Sequence, residues 1–136
     1  MAYEETKVPV WQSQAEIHKM LKKYGGTGVA FVSQPPKEGI EAMVPIEGVI
    51  YKIRIQAQVP AKVRDPEQAL RRIWRVIYFH LKSVFEAAAS GVLEFREMML
   101  PYIVTKDNKT IAEHLLPNLT AAIDGKSERL LPGGKS

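Results

Sequence analysis

Residues 40–59, IEAMVPIEGVIYKIRIQAQV, predict a β-hairpin whose pairing follows from the sequence. The segment IEGV at 46–49 indicates a two-residue turn, because Gly48 supplies the positive φ that such turns need. Side chains alternate between the faces of a strand, so pairing Ile46 with Val49 fixes every other pair. One face is then apolar, and it contains Ile40, Ala42, Val44, Ile46, Val49, Tyr51, Ile53 and Ile55.

The opposite face of this hairpin is polar. It pairs Met43 with Lys52 and Glu41 with Arg54, and the second pair joins opposite charges across the strands. Pro60 cannot donate to a strand ladder, so we expect the second strand to end before it.

A long amphipathic helix is predicted over residues 66–90. Asp65 suits the N-cap, Pro66 suits the first helical position, and Gln68 completes a capping-box pattern. Gly91 suits the C-terminal end. An apolar stripe recurs at helical spacing and contains Leu70, Ile73, Trp74, Ile77, Leu81, Val84, Phe85 and Ala88. We expect this stripe to pack on the apolar face of the hairpin.

Shorter elements flank this centre. Residues 8–10 predict a short extended piece, and Ser13 with Glu16 forms a capping-box pattern that opens an N-terminal helix. Residues 27–33 predict a strand, and the two prolines and one glycine of 33–39 indicate a loop. The expected fold class is α+β: a small, mostly antiparallel sheet (hairpin 40–59 plus strand 27–33) packs against helix 66–90 and shorter N- and C-terminal helices.

The C-terminal part predicts a short amphipathic segment, a turn at residues 107–108 and a further helix. Thr110 and Glu113 form a capping-box pattern, and Pro117 should bend or split the helix that follows. We expect the apolar residues of this helix to face inward, namely Leu115, Leu116, Leu119, Ala122 and Ile123.

Length and composition are those of one globular domain. With 136 residues, 46% hydrophobic and 25% charged, the chain predicts a single domain over 1–125 and a disordered tail over 126–136. It has no cysteine, which excludes disulfides, thiolate nucleophiles and cysteine metal sites. No apolar run approaches the roughly 20 residues of a membrane span, and the N-terminus lacks signal-peptide features. We therefore expect a cytoplasmic protein without a membrane partner.

Positive charge is concentrated in the central region. The chain carries +4 overall, but residues 50–82 hold eight lysines and arginines against two carboxylates, so this region is +6. An aromatic side chain among cations can stack on a base while the cations hold phosphates. The predicted nucleic-acid-binding residues are Lys52, Arg54, Arg71, Arg72, Arg75, Phe79 and Lys82. The structural alternatives are an ordinary solvated helix face and a Phe79 covered by the C-terminal elements.

The residues that usually carry catalysis or metal binding form no convincing pattern. The histidines His18, His80 and His114 do not have ligand spacing, and His80 is expected to be a packed, hydrogen-bonded side chain. Glu94 and Glu97 share a helix face, but a solvated acidic face is the usual explanation of such a pair. We therefore predict no enzyme activity, no metal and no cofactor.

Three groups of segments resemble a family of small uncharacterised proteins encoded by tailed bacteriophages and prophages. The first is VPV at 8–10 with the helix that follows it and GVAF at 28–31. The second is WR at 74–75 with LK at 81–82 and FEA at 85–87. The third is FRE at 95–97 with YIV at 102–104, TIAE at 110–113 and LP at 116–117. The resemblance covers residues 3–124 and implies an accessory protein in the host cytoplasm, without supplying an activity. The turn at 106–109 and Pro101 depart from the family's pattern.

Two main functions remain open from the sequence. The first is binding of DNA or RNA through the basic residues of the hairpin and long helix, with affinity that falls steeply as salt rises. The second is a protein-interaction module that contacts a host or phage protein or forms a homo-oligomer, for which salt matters less. A small-molecule enzyme would need a pocket with convergent polar groups, which the sequence does not place.

Overall fold

The computed structural model describes residues 6–124, and it has the predicted α+β architecture. The three strands of its sheet are antiparallel and follow chain order: β1 (Thr27–Gln34), β2 (Lys37–Ile46) and β3 (Val49–Gln58). The helices are α1 (Val10–Lys23), α2 (Pro66–Ala89), α3 (Phe95–Met99), α4 (Ile111–Leu115) and α5 (Leu119–Ile123). Short 3-10 turns occupy Leu100–Tyr102 and Leu116–Asn118. The predicted disordered tail, 126–136, lies outside the described residues.

The register of the β2–β3 hairpin is the predicted one. Ile46 pairs with Val49 and Glu41 pairs with Arg54, with every intermediate pair in step. At the turn, Glu47 and Gly48 have φ of 51° and 80°, the two positive values that a tight hairpin turn requires. The alternate residues of this hairpin form the floor of the hydrophobic core.

The connection between β1 and β2 differs from the prediction of a loop over 33–39. The strands continue to a two-residue turn at residues 35–36, where proline costs no ladder hydrogen bond. Glu38 points into the core side, where it accepts hydrogen bonds from Trp74 Nε1 (3.0 Å) and from the Ser33 hydroxyl. At position 39 a Cβ would lie 2.5 Å from the Ile55 carbonyl oxygen. Gly39 is therefore needed for the close approach of β2 and β3. In the sequence the same glycine had indicated a loop.

Helix α2 packs its apolar stripe on the sheet as expected. The Asp65 side chain accepts from the Gln68 backbone N–H (3.1 Å), and Gly91 follows the C-terminal end with φ 78°. Trp74 is 0% exposed at the centre of this packing, with Phe31 edge-on at 5.6 Å. The caps and the stripe together explain why this segment forms one uninterrupted helix.

Helix α1 lies beside α2 and runs parallel to it. Ser13 and Glu16 in its first half contact Arg75, and Tyr24 at its end stacks on Phe85 (4.4 Å between ring centroids). The extended piece predicted at 8–10 is confirmed at Pro9, whose backbone is extended, but Val10 already begins the helix. The Ser13–Glu16 capping box is wrong, because Pro9 is the N-cap. Ser13 and Glu16 instead lie within the helix, on the side that meets α2.

The C-terminal elements cover the free edge of β3. Ile103 forms an antiparallel bridge with Ile53, and the Val104 N–H donates to the Lys52 carbonyl (2.9 Å). The capping box of Thr110 and Glu113 is present, and the helix is split around the 3-10 turn Leu116–Asn118, as Pro117 predicted.

The predicted inward orientation of the last helix is wrong for three of its residues. Leu116, Leu119 and Ile123 are 63%, 44% and 76% exposed. The helical spacing of these apolar residues indicated a buried face. Among the described elements, however, none covers the side chains of Leu116, Leu119 and Ile123. None of the helices within residues 6–124 combines the length and the apolar composition that a membrane span requires.

Candidate functional site

The predicted basic residues do not share one face. Lys52 and Arg54 lie on the side of the sheet that faces away from α2, where Glu41 pairs with both (3.6 and 2.6 Å). Arg54 also donates to the Asn108 carbonyl and side chain (2.9 and 2.6 Å). Burial raises the pKa of the Glu41 carboxyl, but hydrogen bonds and charge from the two cations outweigh this and the pKa is lowered. These cations are largely committed to contacts within the protein.

Arg75 is buried, which corrects the expectation that it lies on the solvent side of α2. It is 9% exposed and donates through Nη1 to Ser13 Oγ (3.1 Å) and Glu16 Oε1 (2.8 Å). The helical wheel placed it off the apolar stripe, and α1 packs against that flank. The hydrogen bond from Arg75 lowers the pKa of the Glu16 carboxyl below its usual value, against the effect of burial. Arg75 therefore joins the two helices.

The other cations and Phe79 lie further round α2. Arg71 is held by Gln68 Oε1 (2.6 Å) and lies 3.9 Å from Glu67. Arg72 is half-buried. Phe79 is 37% exposed, so the described C-terminal elements do not cover it. The Phe79 ring centroid lies 5.0 Å from the Arg75 guanidinium and 5.9 Å from the Lys82 ammonium. An aromatic side chain with cations beside it is thus partly accessible, which decides between the two alternatives that the sequence left open.

A groove of about 460 Å³ runs between α1 and α2 on their solvent side. We call it the helix groove; its lining is Glu16, Lys19, Met20, Lys23, Tyr24, Tyr78, Lys82, Phe85 and Glu86. The floor is aromatic and apolar, and the rim is charged. Its volume falls within the range of about 300–1,000 Å³ that is typical of small-ligand sites.

The charge of the helix groove is positive. Lys19, Lys23 and Lys82 line it, and no ion pair joins them to a carboxylate within residues 6–124. These three cations face the carboxylates Glu16 and Glu86, so the lining carries a net charge of +1, and the buried Arg75 outside the lining also pairs with Glu16. The groove therefore favours an anionic ligand.

Sequence reasoning identified Lys82 but missed the part of this site that α1 contributes. Lys19 and Lys23 are four residues apart and so lie on one helix face, close to Tyr24. The spacing can be recognised in the sequence. Only the parallel packing of α1 beside α2, however, shows that Lys19 and Lys23 line the same groove as Lys82.

A second groove, of about 290 Å³, lies at the edge of β3 and is less suited to an anion. Its lining includes Lys37, Arg54 and Glu113, and Glu113 lies 3.8 Å from Arg54. Since Glu41 also pairs with Arg54, the cations here are balanced by carboxylates. The helix groove is the stronger candidate.

His80 and His114 make contacts within the fold. His80 is exposed, which corrects the expectation of a packed side chain, but it is hydrogen-bonded as predicted, to the Tyr102 hydroxyl (2.9 Å). His114 contacts Asp107 Oδ1 (2.9 Å) and Thr105 Oγ1 (3.1 Å), and both contacts use Nε2. A catalytic relay places the carboxylate and the hydroxyl on opposite ring nitrogens. This cluster instead ties the loop of residues 105–109 to α4.

The pKa of Asp107 predicts how this loop responds to acid. Hydrogen bonds from Thr105 and His114 lower it to about 2, from 3.8. A depressed carboxyl pKa contributes stability above the unfolded value, and this contribution is lost as pH falls toward 2. Asp107→Asn should therefore flatten the dependence of unfolding free energy on pH between about 4 and 2, measured by urea titration. The exposed Asp124→Asn is the control, and equal pH slopes in wild type and Asp107→Asn would contradict the prediction.

Comparisons of the chain with protein-family models, with curated proteins and with solved structures gave no match. Within residues 6–124, no group of three or more histidine, aspartate or glutamate side chains is placed to hold a metal ion.

Proposed function

We propose that the chain binds nucleic acid without sequence specificity, through the helix groove and the adjacent solvent side of α2. The observation that carries this proposal is that three lysines, Lys19, Lys23 and Lys82, line one groove with an aromatic floor. Lysine ammonium groups bind phosphates as point charges, and aromatic rings stack on bases of any sequence. Phage DNA metabolism is the setting that the family resemblance suggests.

The proposal uses some of the predicted residues and sets others aside. Lys82, Arg72 and Phe79 border the groove or the surface beside it. Lys52 and Arg54 lie on the opposite side of the sheet, so one strand of nucleic acid does not reach them and the groove together. Arg75 supports the site by holding α1 against α2.

The proposal is tested by removing the three lysines of the groove. Lys19→Ala/Lys23→Ala/Lys82→Ala should weaken binding of a labelled oligonucleotide of roughly 20 nucleotides about tenfold at ~50 mM salt. Each lost phosphate contact also removes counterion release, so the slope of log affinity against log salt should fall by about 2 for a single strand. Fluorescence anisotropy at several salt concentrations measures both quantities.

A matched control removes three lysines elsewhere. Lys62→Ala/Lys106→Ala/Lys109→Ala changes the net charge equally, and all three residues are exposed outside the groove. It should retain most of the affinity. Equal losses in the two triple variants would mean that overall charge and not the groove attracts the nucleic acid. No binding by the wild type at ~50 mM salt would reject the proposal.

A second function, docking of a protein partner or a second copy of the chain, is favoured by one observation. Leu116, Leu119 and Ile123 form an exposed apolar stripe on the C-terminal helices. Exposed apolar patches mark interaction surfaces in many proteins. Salt-insensitive self-association in sedimentation velocity, together with absent oligonucleotide binding, would favour this function over the first.

A further inference from the structure

The floor of the helix groove presents aromatic rings that are already fixed in place. Tyr24 is stacked on Phe85 with 8° between the ring planes, and the Arg75 guanidinium lies 4.3 Å from the Tyr78 ring centroid. Phe85 and the Lys23 ammonium contact the Tyr24 ring, whereas Arg75 lies over one face of Tyr78 and holds that ring in place. A planar ligand on the other face of Tyr78 would stack with little ordering of side chains. The floor therefore suits a flat, aromatic group.

The rim restricts where a negative charge can sit. Glu16 precedes the lysines of α1 and Glu86 follows Lys82 on α2, so in this parallel pair of helices the two carboxylates lie toward opposite ends and repel a second anion there. The charge of Lys82 helps to lower the pKa of Glu16, so Lys82 lies within electrostatic range of that carboxylate. The rim thus favours one compact anion, such as a single phosphate, close to the aromatic floor.

We infer that the helix groove holds one nucleotide unit, with its base on the Tyr78 side of the floor and its phosphate among Lys19, Lys23 and Lys82. This inference rests on the proposed function and names the ligand of the same site. A nucleotide is the ligand class that joins a planar ring to a phosphate. Its source is either a free mononucleotide or one unit of a strand.

The groove also decides between single and double strands. Helices packed side by side have axes about 8–10 Å apart, which leaves a cleft too narrow for a duplex. A paired base stays within its stack and reaches such a cleft only after it is flipped out at an energetic cost. The single strand should therefore bind on the order of tenfold more tightly than the duplex of the same sequence.

The test combines ring-removing variants with competing ligands in anisotropy measurements on the full chain. Tyr78→Leu should weaken binding of the single strand on the order of tenfold, because base stacking on the ring is lost. Tyr78→Phe keeps the ring and should bind like the wild type. Adenosine monophosphate should displace the strand, whereas inorganic phosphate at equal ionic strength should not.

Trp11→Leu is the matched control, because it removes an exposed ring of α1 that does not line the groove, and it should bind like the wild type. Phe79→Leu tests the solvent side of α2: if it loses affinity while Tyr78→Leu retains it, the base stacks on that side and the inference is wrong. Tyr78 packs on Arg75, so Tyr78→Leu can fail to fold. In that case Met20→Trp, which fills the groove with a larger side chain, is tested in its place. Met20→Trp should also lose the strand, and unchanged affinity would overturn the inference.

The remaining outcomes separate this inference from the proposed function. Equal binding of strand and duplex, unaffected by Tyr78→Leu, overturns the nucleotide site and leaves nucleic-acid binding standing. Binding of adenosine monophosphate without binding of any oligonucleotide overturns the proposed function and supports a free-nucleotide site. Binding of neither ligand overturns both.

Discussion

Trp74→Ala is expected to lower the free energy of unfolding by about 3–5 kcal/mol, the usual range for removing a large aromatic side chain from a core. Trp74 is completely buried between α2 and the sheet, and Phe31 packs edge-on against it. The substitution leaves a cavity and also removes the Nε1 donor of the buried Glu38 carboxylate. Since domains of this size are stable by only about 5–15 kcal/mol, the variant should be close to unfolding.

Urea denaturation followed by circular dichroism measures this loss, and the chain offers a matched control. Trp11, the other tryptophan, is 69% exposed on α1. Trp11→Ala should change the free energy of unfolding by no more than about 0.5 kcal/mol. A Trp74→Ala variant as stable as Trp11→Ala would show that α2 does not pack on the sheet through this residue.

Arg75→Ala is expected to cost about 2–3 kcal/mol of unfolding free energy at neutral pH. It removes the donor that reaches the buried Ser13 hydroxyl and the Glu16 carboxylate, and hydrogen bonds to charged groups contribute about 1.5–3 kcal/mol. The loss should stay below the 3–5 kcal/mol typical of a broken, fully buried pair, because about a third of the Glu16 side chain is exposed and water replaces part of the contact.

The pH dependence identifies the pair as the cause. The pKa of Glu16 is lowered by the Arg75 hydrogen bond, so the pair stabilises the fold above the ordinary carboxyl pKa of 4.5 and stops doing so as pH falls. Wild type and Arg75→Ala should therefore become closer in stability at about pH 3 than at pH 7. Arg72→Ala, on the same helix without an ion pair to the described residues, is the control and should lie within about 0.5 kcal/mol of wild type. Equal stabilities of the two variants at pH 7 would contradict a contribution from the pair.

The hairpin and the long helix were predictable because their determinants are local. A two-residue turn with Gly48 fixes the pairing, and alternation then places every residue of β2 and β3 on a face. In the same way Asp65 and Gly91 mark the ends of α2. The β1–β2 turn was missed since its prolines indicate a loop, while the strands on either side are kept by contacts to distant residues such as Trp74.

The candidate site was less predictable because it depends on which element packs beside α2. A helical wheel shows that Arg75 and Lys82 lie off the apolar stripe, but it does not show that α1 occupies that flank. Ser13 and Glu16 carried a signal, since they are polar residues that border the apolar Ile17 and Leu21 of α1. In the sequence these two residues indicated a helix cap. Only the packed structure shows that they contact Arg75.

The two-residue turns of the sheet have a consequence for how the chain folds. Each strand meets the next through a very short loop, so the sheet closes at little cost in chain entropy. The helix groove, in contrast, joins Glu16 to Arg75 across 59 residues, and contacts this distant are slow to form. We therefore expect α1 to dock after the strands have paired. A ligand held between the two helices would then distinguish the completed fold from chains that have formed only their sheet, and would stabilise the former by mass action.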